Sequence, residues 1–544
     1  MNLGFHAPGK RRLSRLWPIP ARWGWGIFFL WVIVGLTIAA WSTLDCRPPG
    51  WDQSGHLTAS VVYSRAMAAG PVAFGRTLLR PPTWYPPFYH LVLATVFSVL
   101  GVFPWAPAAV NCLFAGVLLY ATWELGKKVY PDDDLVAFTG TALTATSPFL
   151  AYVSHEALLD YALVALVTLA ILAASRERIF TCPSAAASAG AAVAAALLVK
   201  PTAAVFLAVP LLAAFASAAV WTDAGGRRCL VVFLACAGLA PLAWYSLHLH
   251  DLNLLFRTNL ADAAREGDPL PLTWESAAFY ARGLYRLDFA PVLVLALLPG
   301  VLRAVRHWRE TRHLWTWIIP AWVALTFLMP NKDYRYALPV LPGIALLGAG
   351  GLLLLPRGRA RVGAAVLGLG LASLYYASLY GPSAGPFWLL TQRGPLANPY
   401  VLLHIPAEAF PRCEDWKQDQ IVGVLASALH QRPRPHVSVG VTPSLSALNS
   451  SGIRYRLVLS GLRADVVDFA YVEDWHEALG RVDFVIAKTG DQGLAHVTRS
   501  SQVINAYVES RADIFTIIMT VPLPDGSEGR LYERQQPSPR MGDS

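Results

Sequence analysis

Over its first 380 residues the chain alternates apolar runs with short polar connections, and then the pattern changes. A helix rises 1.5 Å per residue, so about 20 apolar residues cross the hydrocarbon core of a bilayer. Residues 25–44 form the first such run, behind a basic stretch, MNLGFHAPGKRRLSRLWPIPAR. Further runs cover roughly 107–125, 134–152, 158–174, 184–199, 201–221, 229–247, 289–302, 313–330, 335–355 and 362–380. The pattern predicts a polytopic α-helical membrane protein. The first run is longer than a signal-peptide core and no small-residue cleavage site is evident, so it reads as an uncleaved span.

The run FYHLVLATVFSVLG, 88–101, admits two placements. As a span, it puts Lys127 and Lys128 outside. Lying along the membrane or re-entering, it puts them inside. Lys and Arg favour the cytoplasmic side of short loops, and the second placement brings every later loop into agreement. The expected inner loops are 126–133, 175–183, 222–228, 303–313 and 356–361. They hold 13 Lys and Arg in 41 residues, whereas the equally long outer loop 248–288 holds four. The expectation is eleven spans, within a range of about 10 to 13, with the N-terminus in the cytoplasm. The 45–106 loop, the stretch near 153–160, the 248–288 loop, residues 331–334 and the C-terminal region then share the outer side.

Beyond about residue 385 polar and apolar positions mix. DWKQDQIVGVLASALH (415–430) has helical spacing, and HVSVGV (436–441) and DFVIAK (483–488) are strand-like and rich in β-branched residues. FTIIMTVPLPDGSEGRLYER (515–534) reads as two strands about an Asp525-Gly526 turn. The expected division is a membrane domain over 1–384, an extracytoplasmic α/β domain over 385–534 and a disordered tail over 535–544.

Composition agrees with the hydropathy pattern. The chain is 55% hydrophobic and 15% charged, against about 25% charged in soluble domains. A net charge of +9 raises nucleic acid as a partner, but the basic residues crowd the ends of apolar runs, as topology signals do. Nucleic-acid binding is therefore set aside. Six Cys without a CxxC pair argue against a structural zinc or thioredoxin-type site. No metal and no cofactor is expected.

The chemistry-bearing groups fall in the outer stretches. Asp52, in PPGWDQSGHL, follows the first span by seven residues, with His56 one helical turn on. Its plainer role is a helix N-cap. In YVSHEALLDYAL, Glu156 and Asp160 stand four apart, which places both on one face of a helix. Acids at this depth face protein or a water-filled cavity, because lipid excludes them. In PNKDYRYALPVLP, Lys332, Arg335 and Tyr336 stand at the mouth of a span, as snorkelling charges or as a phosphate clamp. Lys200 interrupts two apolar runs on the outer side, where positive-inside sorting gains nothing from it. RPPTWYPPFYHL is a rigid proline-rich loop that offers Trp84, Tyr85 and His90 as pocket walls. Carboxylates facing cations suit a hydroxyl acceptor that needs a base and a phosphate leaving group that needs positive charge.

In this order the motifs resemble those of the polyprenyl- or dolichyl-phosphate-sugar glycosyltransferases of the GT-C fold, in the protein-mannosyltransferase-like and aminoarabinose-transferase-like group. WDQSGH stands where that family has its first acidic motif, WYPPFYHL where it has a KPPLYY-like motif, and SHEALLD where it has a second acid. Lys200-Pro201 and KDYRYALPVLP match two later motifs. The resemblance covers residues 1–380 and implies an inverting transfer from a polyprenyl-phosphate sugar to a protein, lipid or glycan acceptor. Asp52 would be the base and Asp160 an orienting acid, with Lys332, Arg335 and Lys200 holding the departing lipid phosphate. Gln53 stands where many relatives have Glu, which weakens a carboxylate-pair or metal role, and Glu156 has no family counterpart to carry over. The rivals are a transporter or flippase of a lipid-linked sugar and a non-catalytic envelope assembly protein. The resemblance places the chain in the plasma (inner) membrane. Cys46 and Cys413 both fall outside, where an oxidising compartment permits a disulfide; pairing requires close Cα atoms, which sequence does not supply.

Overall fold

The protein is described by a computed structural model over residues 21–216, 224–377, 391–393, 403–405, 411–431, 436–472 and 474–535. The tail expected to be disordered and the 384/385 boundary lie outside those residues, apart from residue 535. Helix α1 (Ala21–Leu44) leads into a loop and α2 (Trp51–Ala68), α3 (Pro71–Leu79) and α4 (Phe88–Leu100). Helices α5 (Ala106–Val129), α6 (Asp134–Ala145), α7 (Pro148–His155), α8 (Leu159–Ala174), α9 (Pro183–Val199) and α10 (Ala203–Phe215) follow. Later helices span Ala224–Leu247, Leu249–Glu266, Trp274–Gly283, Ala290–Arg306, Trp308–Val323, Leu341–Ala349 and Arg359–Ala377.

Five helical segments among the described residues are long and apolar enough to cross a membrane: Gly24–Leu44, Ala106–Val129, Ala224–Leu247, Tyr334–Leu354 and Arg359–Ala377. The pair α6 and α7, bent by 55°, makes a sixth if counted as one span. Length and composition thus select five or six of the eleven expected spans. The bent pair, α8, α9 and α10 nevertheless coincide with expected runs. Helix α4 has 13 residues, about 20 Å at 1.5 Å per residue, short of the ~30 Å core. It packs against α2 and α5, as suits a segment that lies along or re-enters the membrane. Phe28, Phe29, Ile33 and Leu36 of α1 stay exposed, an apolar surface that lipid satisfies and water does not.

The connections gather at two ends. At one end Lys128 donates to the Ser175 carbonyl and Arg361 pairs with Asp133, which joins three of the five expected inner loops. At the other end stand the first loop, the α7–α8 junction, the segment after α9 and residues 329–336. Helix crossings are close where small residues meet. A Cβ on Gly300 would strike the carbonyls of Leu347 and Gly348, so only glycine lets Ala290–Arg306 cross Leu341–Ala349 there.

Strands β1 (Thr391–Arg393) and β2 (Leu403–Ile405) form a short parallel pair. The C-terminal region folds around a five-stranded sheet of order β4-β3-β5-β7-β6, from β3 (Ser438–Val441), β4 (Asp465–Asp468), β5 (Phe484–Lys488), β6 (Phe515–Pro522) and β7 (Glu528–Arg534). Strand β3 runs parallel to β4 and β5, and β7 antiparallel to β5 and β6. The sheet is covered on both faces. Phe484 and Ile486 pack with Gln418–Gln431 and Ser450–Leu459, while Val485 and Ala487 pack with Trp475–Arg481 and Ser501–Ser510. A strand buried on both sides reads as a continuous apolar run, which is why FVIAK is legible as β5. The expected hairpin turns at Asp525-Gly526, with Gly526 at φ +80°, where glycine is favoured.

This domain docks on the end of the bundle that carries the first loop. Ser450–Leu459 lies against α2, Arg65 donates to the Leu459 carbonyl at 3.3 Å, and Tyr455 is buried in the membrane-domain core. Cys46 and Cys413 form a disulfide with Cα atoms 4.4 Å apart. Two hydrogen bonds flank it, from Cys46 N–H to the Arg412 carbonyl and from Arg412 N–H to the Asp45 carboxylate, both 2.9 Å. Loss of a native disulfide costs about 2–5 kcal/mol in small secreted domains. Reductant is therefore expected to lower the melting temperature of the wild type and leave a Cys46→Ser/Cys413→Ser double variant unmoved. Equal responses would show that the bond does not stabilise this junction.

Candidate functional site

Asp52 lies in the first turn of α2, where a carboxylate complements the helix dipole. Gly50 is the N-cap, and the side chain that ties down the turn is Ser54, whose hydroxyl donates to the Pro49 carbonyl at 2.7 Å. Asp52 is therefore not the capping residue. It is half-exposed and pairs with Arg335 Nη1 at 3.3 Å. Arg335 also grips Asp333, with Nε and Nη2 at 2.7 and 2.6 Å from its Oδ2. Asp333 caps the 3₁₀ turn Tyr334–Val340 by accepting the Arg335 N–H at 2.8 Å. Sequence reasoning missed Asp333; the D-x-R spacing at a turn was its available signal.

A second pair stands in the same cluster. Lys200 ends α9 in an extended conformation, and its ammonium lies 2.8 Å from Asp160 Oδ1, in the first turn of α8. Both side chains are buried, so Lys200 is a paired internal cation and not a snorkelling one. Its ammonium sits 4.8 Å from the centre of the Tyr336 ring, a cation–π contact. Tyr336 donates to Asn331 Oδ1 at 3.0 Å.

Lys332 departs from its expected setting. Its ammonium donates to the carbonyls of Leu325, Thr326 and Met329 at 2.7, 2.9 and 2.6 Å. An ammonium has three hydrogens, and here all three close the end of the π-helical turn Ala324–Leu328. Burial pushes Lys332 down to about 8. A phosphate reaches it only if one of those bonds opens.

Glu156 and Asp160 do not share a helix face. Helix α7 ends at His155, residues Glu156 and Leu158 are extended, and α8 restarts at Leu159. The break is held by Asn111, whose buried amide donates to the carbonyls of Ser154 and Glu156, both at 2.9 Å. A side chain thus takes the place of the helical N–H groups that would continue the ladder. Nothing in the local pattern of YVSHEALLDYAL reports a partner on α5.

Glu156 instead turns toward Gln53, Arg47 and Asp45. Burial pushes its carboxyl up to about 8, partly offset by Arg47, so it is protonated at neutral pH in the folded chain. Its ordinary value is about 4.3. A raised value means that its contribution to stability is complete below about 4 and is lost as pH rises toward 8. The melting temperature of the wild type is expected to fall from about pH 5 to 8 relative to Glu156→Gln, which keeps the neutral form. Parallel curves in a pH series of thermal melts would remove Glu156 from this role.

His56, His90 and Tyr85 form the wall beside Asp52, while Trp84 is 44% exposed. His90 Nδ1 lies 3.2 Å from the Pro86 carbonyl, and His90 Nε2 lies 3.0 Å from His56 Nδ1. A carbonyl only accepts, so His90 carries its proton on Nδ1. Burial pushes His90 well below its usual value, and burial with Lys200 and Arg335 nearby pushes His56 down to about 3. Both rings are then neutral, His56 donates through Nδ1, and His56 Nε2 is left as an acceptor. Asp52 and His56 stand four residues apart on α2, which places them on one side of that helix.

Among the described residues no three His, Cys, Asp or Glu side chains gather to hold a metal ion. What the site offers is three carboxylates, Asp52, Asp333 and the buried Asp160, with two paired cations and an imidazole acceptor. Sequence reasoning found most of this set.

Nearly the whole chain matches solved structures. It matches ArnT from Cupriavidus metallidurans in the apo state with a TM-score of 0.55 and 13% identity, covering 94% of this chain and 98% of that one. It matches the same organism's ArnT bound to undecaprenyl phosphate with a TM-score of 0.51 and 12% identity, covering 95% and 99%. At such identity the likeness shows the fold: this is a GT-C membrane protein with a C-terminal sheet domain. No protein-family model matches the chain, and no curated protein matches it.

Proposed function

We propose that this GT-C chain is a membrane glycosyltransferase that moves a sugar from a polyprenyl-phosphate donor to an acceptor hydroxyl on the extracytoplasmic side, with inversion. The observation that carries the proposal is the meeting of the Asp52–Arg335 and Asp160–Lys200 pairs at one end of the bundle. The ArnT structure that holds undecaprenyl phosphate supports a lipid phosphate as the ligand class. The excess of Lys and Arg in the opposite loops, and the Cys46–Cys413 disulfide, support an outward site in the plasma membrane. We place the membrane domain at 1–384, with eleven spans, and the outer domain at 385–534.

The chemistry follows from the pairings. Donor phosphate approaching Arg335 competes with Asp52 for Nη1, while Asp333 keeps the guanidinium in place. Asp52 is thereby released as a base. As the acceptor oxygen bonds to C1 of the sugar, its proton passes to Asp52. The C1–O bond to phosphate breaks, and its electron pair leaves with the phosphate oxygen. Arg335 and Lys200 stabilise that charge as it develops. His56 Nε2 accepts from a sugar hydroxyl beside Asp52, and Asp160 holds Lys200 in place. Lys332 shapes the mouth of the site through the turn that it closes.

Purified protein in nanodiscs, given a panel of polyprenyl-phosphate sugars and membrane extract as acceptor, is expected to release free polyprenyl phosphate with one donor. Vesicles with translocated but intact donor would instead establish a transporter. Absence of both release and donor binding would leave an assembly role.

A further inference from the structure

A cavity of about 850 Å³ lies beside the catalytic cluster and contains none of Asp52, Asp160, Lys200 or Arg335. Its floor belongs to the membrane domain: Trp41 at the end of α1, the Asp45–Gly50 loop, and Tyr152 and Glu156 at the end of α7. Its roof belongs to the C-terminal domain: Trp416, the turn Ser444–Ala447 after β3, and Asp491, Gly493 and Leu494 after β5. Trp51 and Gln53, the two neighbours of Asp52, both line it.

The roof is a place where α/β sheets bind ligands. Strands β3 and β5 lie side by side and parallel. The chain leaving β3 enters Ser450–Leu459 on one face, and the chain leaving β5 enters Ser501–Ser510 on the other. Such a divergence opens a crevice at the carboxyl ends of the strands. Here the loops stay in register, because Ser444 N–H donates to the Gln492 carbonyl at 2.8 Å and Gly493 lies against the Ser444 carbonyl, where a Cβ would collide. Trp51 Nε1 donates to Ser444 Oγ at 3.2 Å and ties this roof to the first turn of α2.

The lining indicates the ligand. Its cations are already matched: Arg47 with Asp45 at 2.7 Å, Arg412 with Glu414 at 3.6 Å, and Arg456 with Asp419 at 3.1 Å. That balance disfavours a phosphate or a polyanion. The lining sets aromatic side chains, Trp41, Trp51, Tyr152 and Trp416, beside fixed polar groups, which suits a molecule with apolar C–H faces and a rim of hydroxyls, because an electron-rich ring attracts polarised C–H groups. The volume falls within the roughly 300–1,000 Å³ of small-molecule sites.

We infer that this interdomain cavity binds the carbohydrate of the acceptor, a neutral glycan end, and presents its hydroxyl past Trp51 and Gln53 to Asp52. The inference rests on the transferase reading for the role of the hydroxyl, but not for the binding itself. The C-terminal domain is then the acceptor-reading half of the protein.

The test uses the full chain in nanodiscs and saturation-transfer NMR, with cellobiose, mannobiose and chitobiose as probes and a threonine-containing peptide as the rival acceptor class. Ser446→Trp and Leu494→Trp each fill the cavity from half-buried or exposed positions. At least one disaccharide is expected to bind, and to bind about tenfold more weakly in both variants, while undecaprenyl phosphate binding stays unchanged in them and reports an intact fold. Binding of the peptide alone, of no disaccharide, or of disaccharides with equal strength in the filled variants would overturn the inference. Disaccharide binding lost on filling, in a wild type that binds no undecaprenyl phosphate, would uphold the cavity and sink the transferase reading.

Discussion

Asp52→Asn is expected to slow polyprenyl-phosphate release by about 10²–10⁴-fold, the range that general-base catalysis supplies, with donor binding retained. The amide cannot take up a proton. It matches the carboxylate in size, and the turn that carries it is fixed by Ser54 and by Trp51, not by Asp52. Arg335 keeps Asp333 as its partner, so the cation that receives the phosphate stays in place. A single-turnover measurement with saturating donor separates the two effects. A loss below about tenfold, equivalent to only 1.4 kcal/mol of barrier, would remove Asp52 from the base role. A loss that tracked weaker donor binding would make it a binding residue.

Lys200→Met is expected to be the most destabilising single change in the site. It leaves Asp160 buried without its cation, and breaking a buried pair from one side costs about 3–5 kcal/mol. Asp160→Asn/Lys200→Met removes both charges and should regain most of the lost melting temperature. The double variant remains inactive if Lys200 stabilises the leaving phosphate. Recovery of activity together with stability would show that the pair is structural only. The comparison is informative because the two residues come from different elements, the first turn of α8 and the end of α9, and pair directly with each other.

Much of this architecture was legible beforehand, for a physical reason. Hydrophobic runs report helices that lipid or protein must cover, and β5 reports a strand covered on both faces. The Asp525-Gly526 turn was legible because it needs positive φ. The acids of the site stood out because lipid excludes them, and Lys200 because positive-inside sorting does not explain it. What escaped were relations across the fold. Asn111 breaks the helix between Glu156 and Asp160 from another helix altogether. Lys332 looked like a phosphate ligand until its three carbonyl partners were visible. Asp333 was read past because its partner is two residues away and its effect is on Asp52's partner. Strand β4 and the crevice between β3 and β5 depend on strand order, which local periodicity does not encode.

The Cys46–Cys413 link joins the end of the first helix to a point 367 residues later. The first thiol is made long before its partner exists. It must wait while nearly every span is synthesised and inserted, and it finds Cys413 only if all the intervening hairpins have delivered both to the same face. The bond is therefore a late closure, made only after the membrane domain between its two ends has been laid down. A chain whose intervening helices are wrongly placed cannot bring the two sulfurs together, so the closed bond reports that the ends of a 367-residue stretch have met.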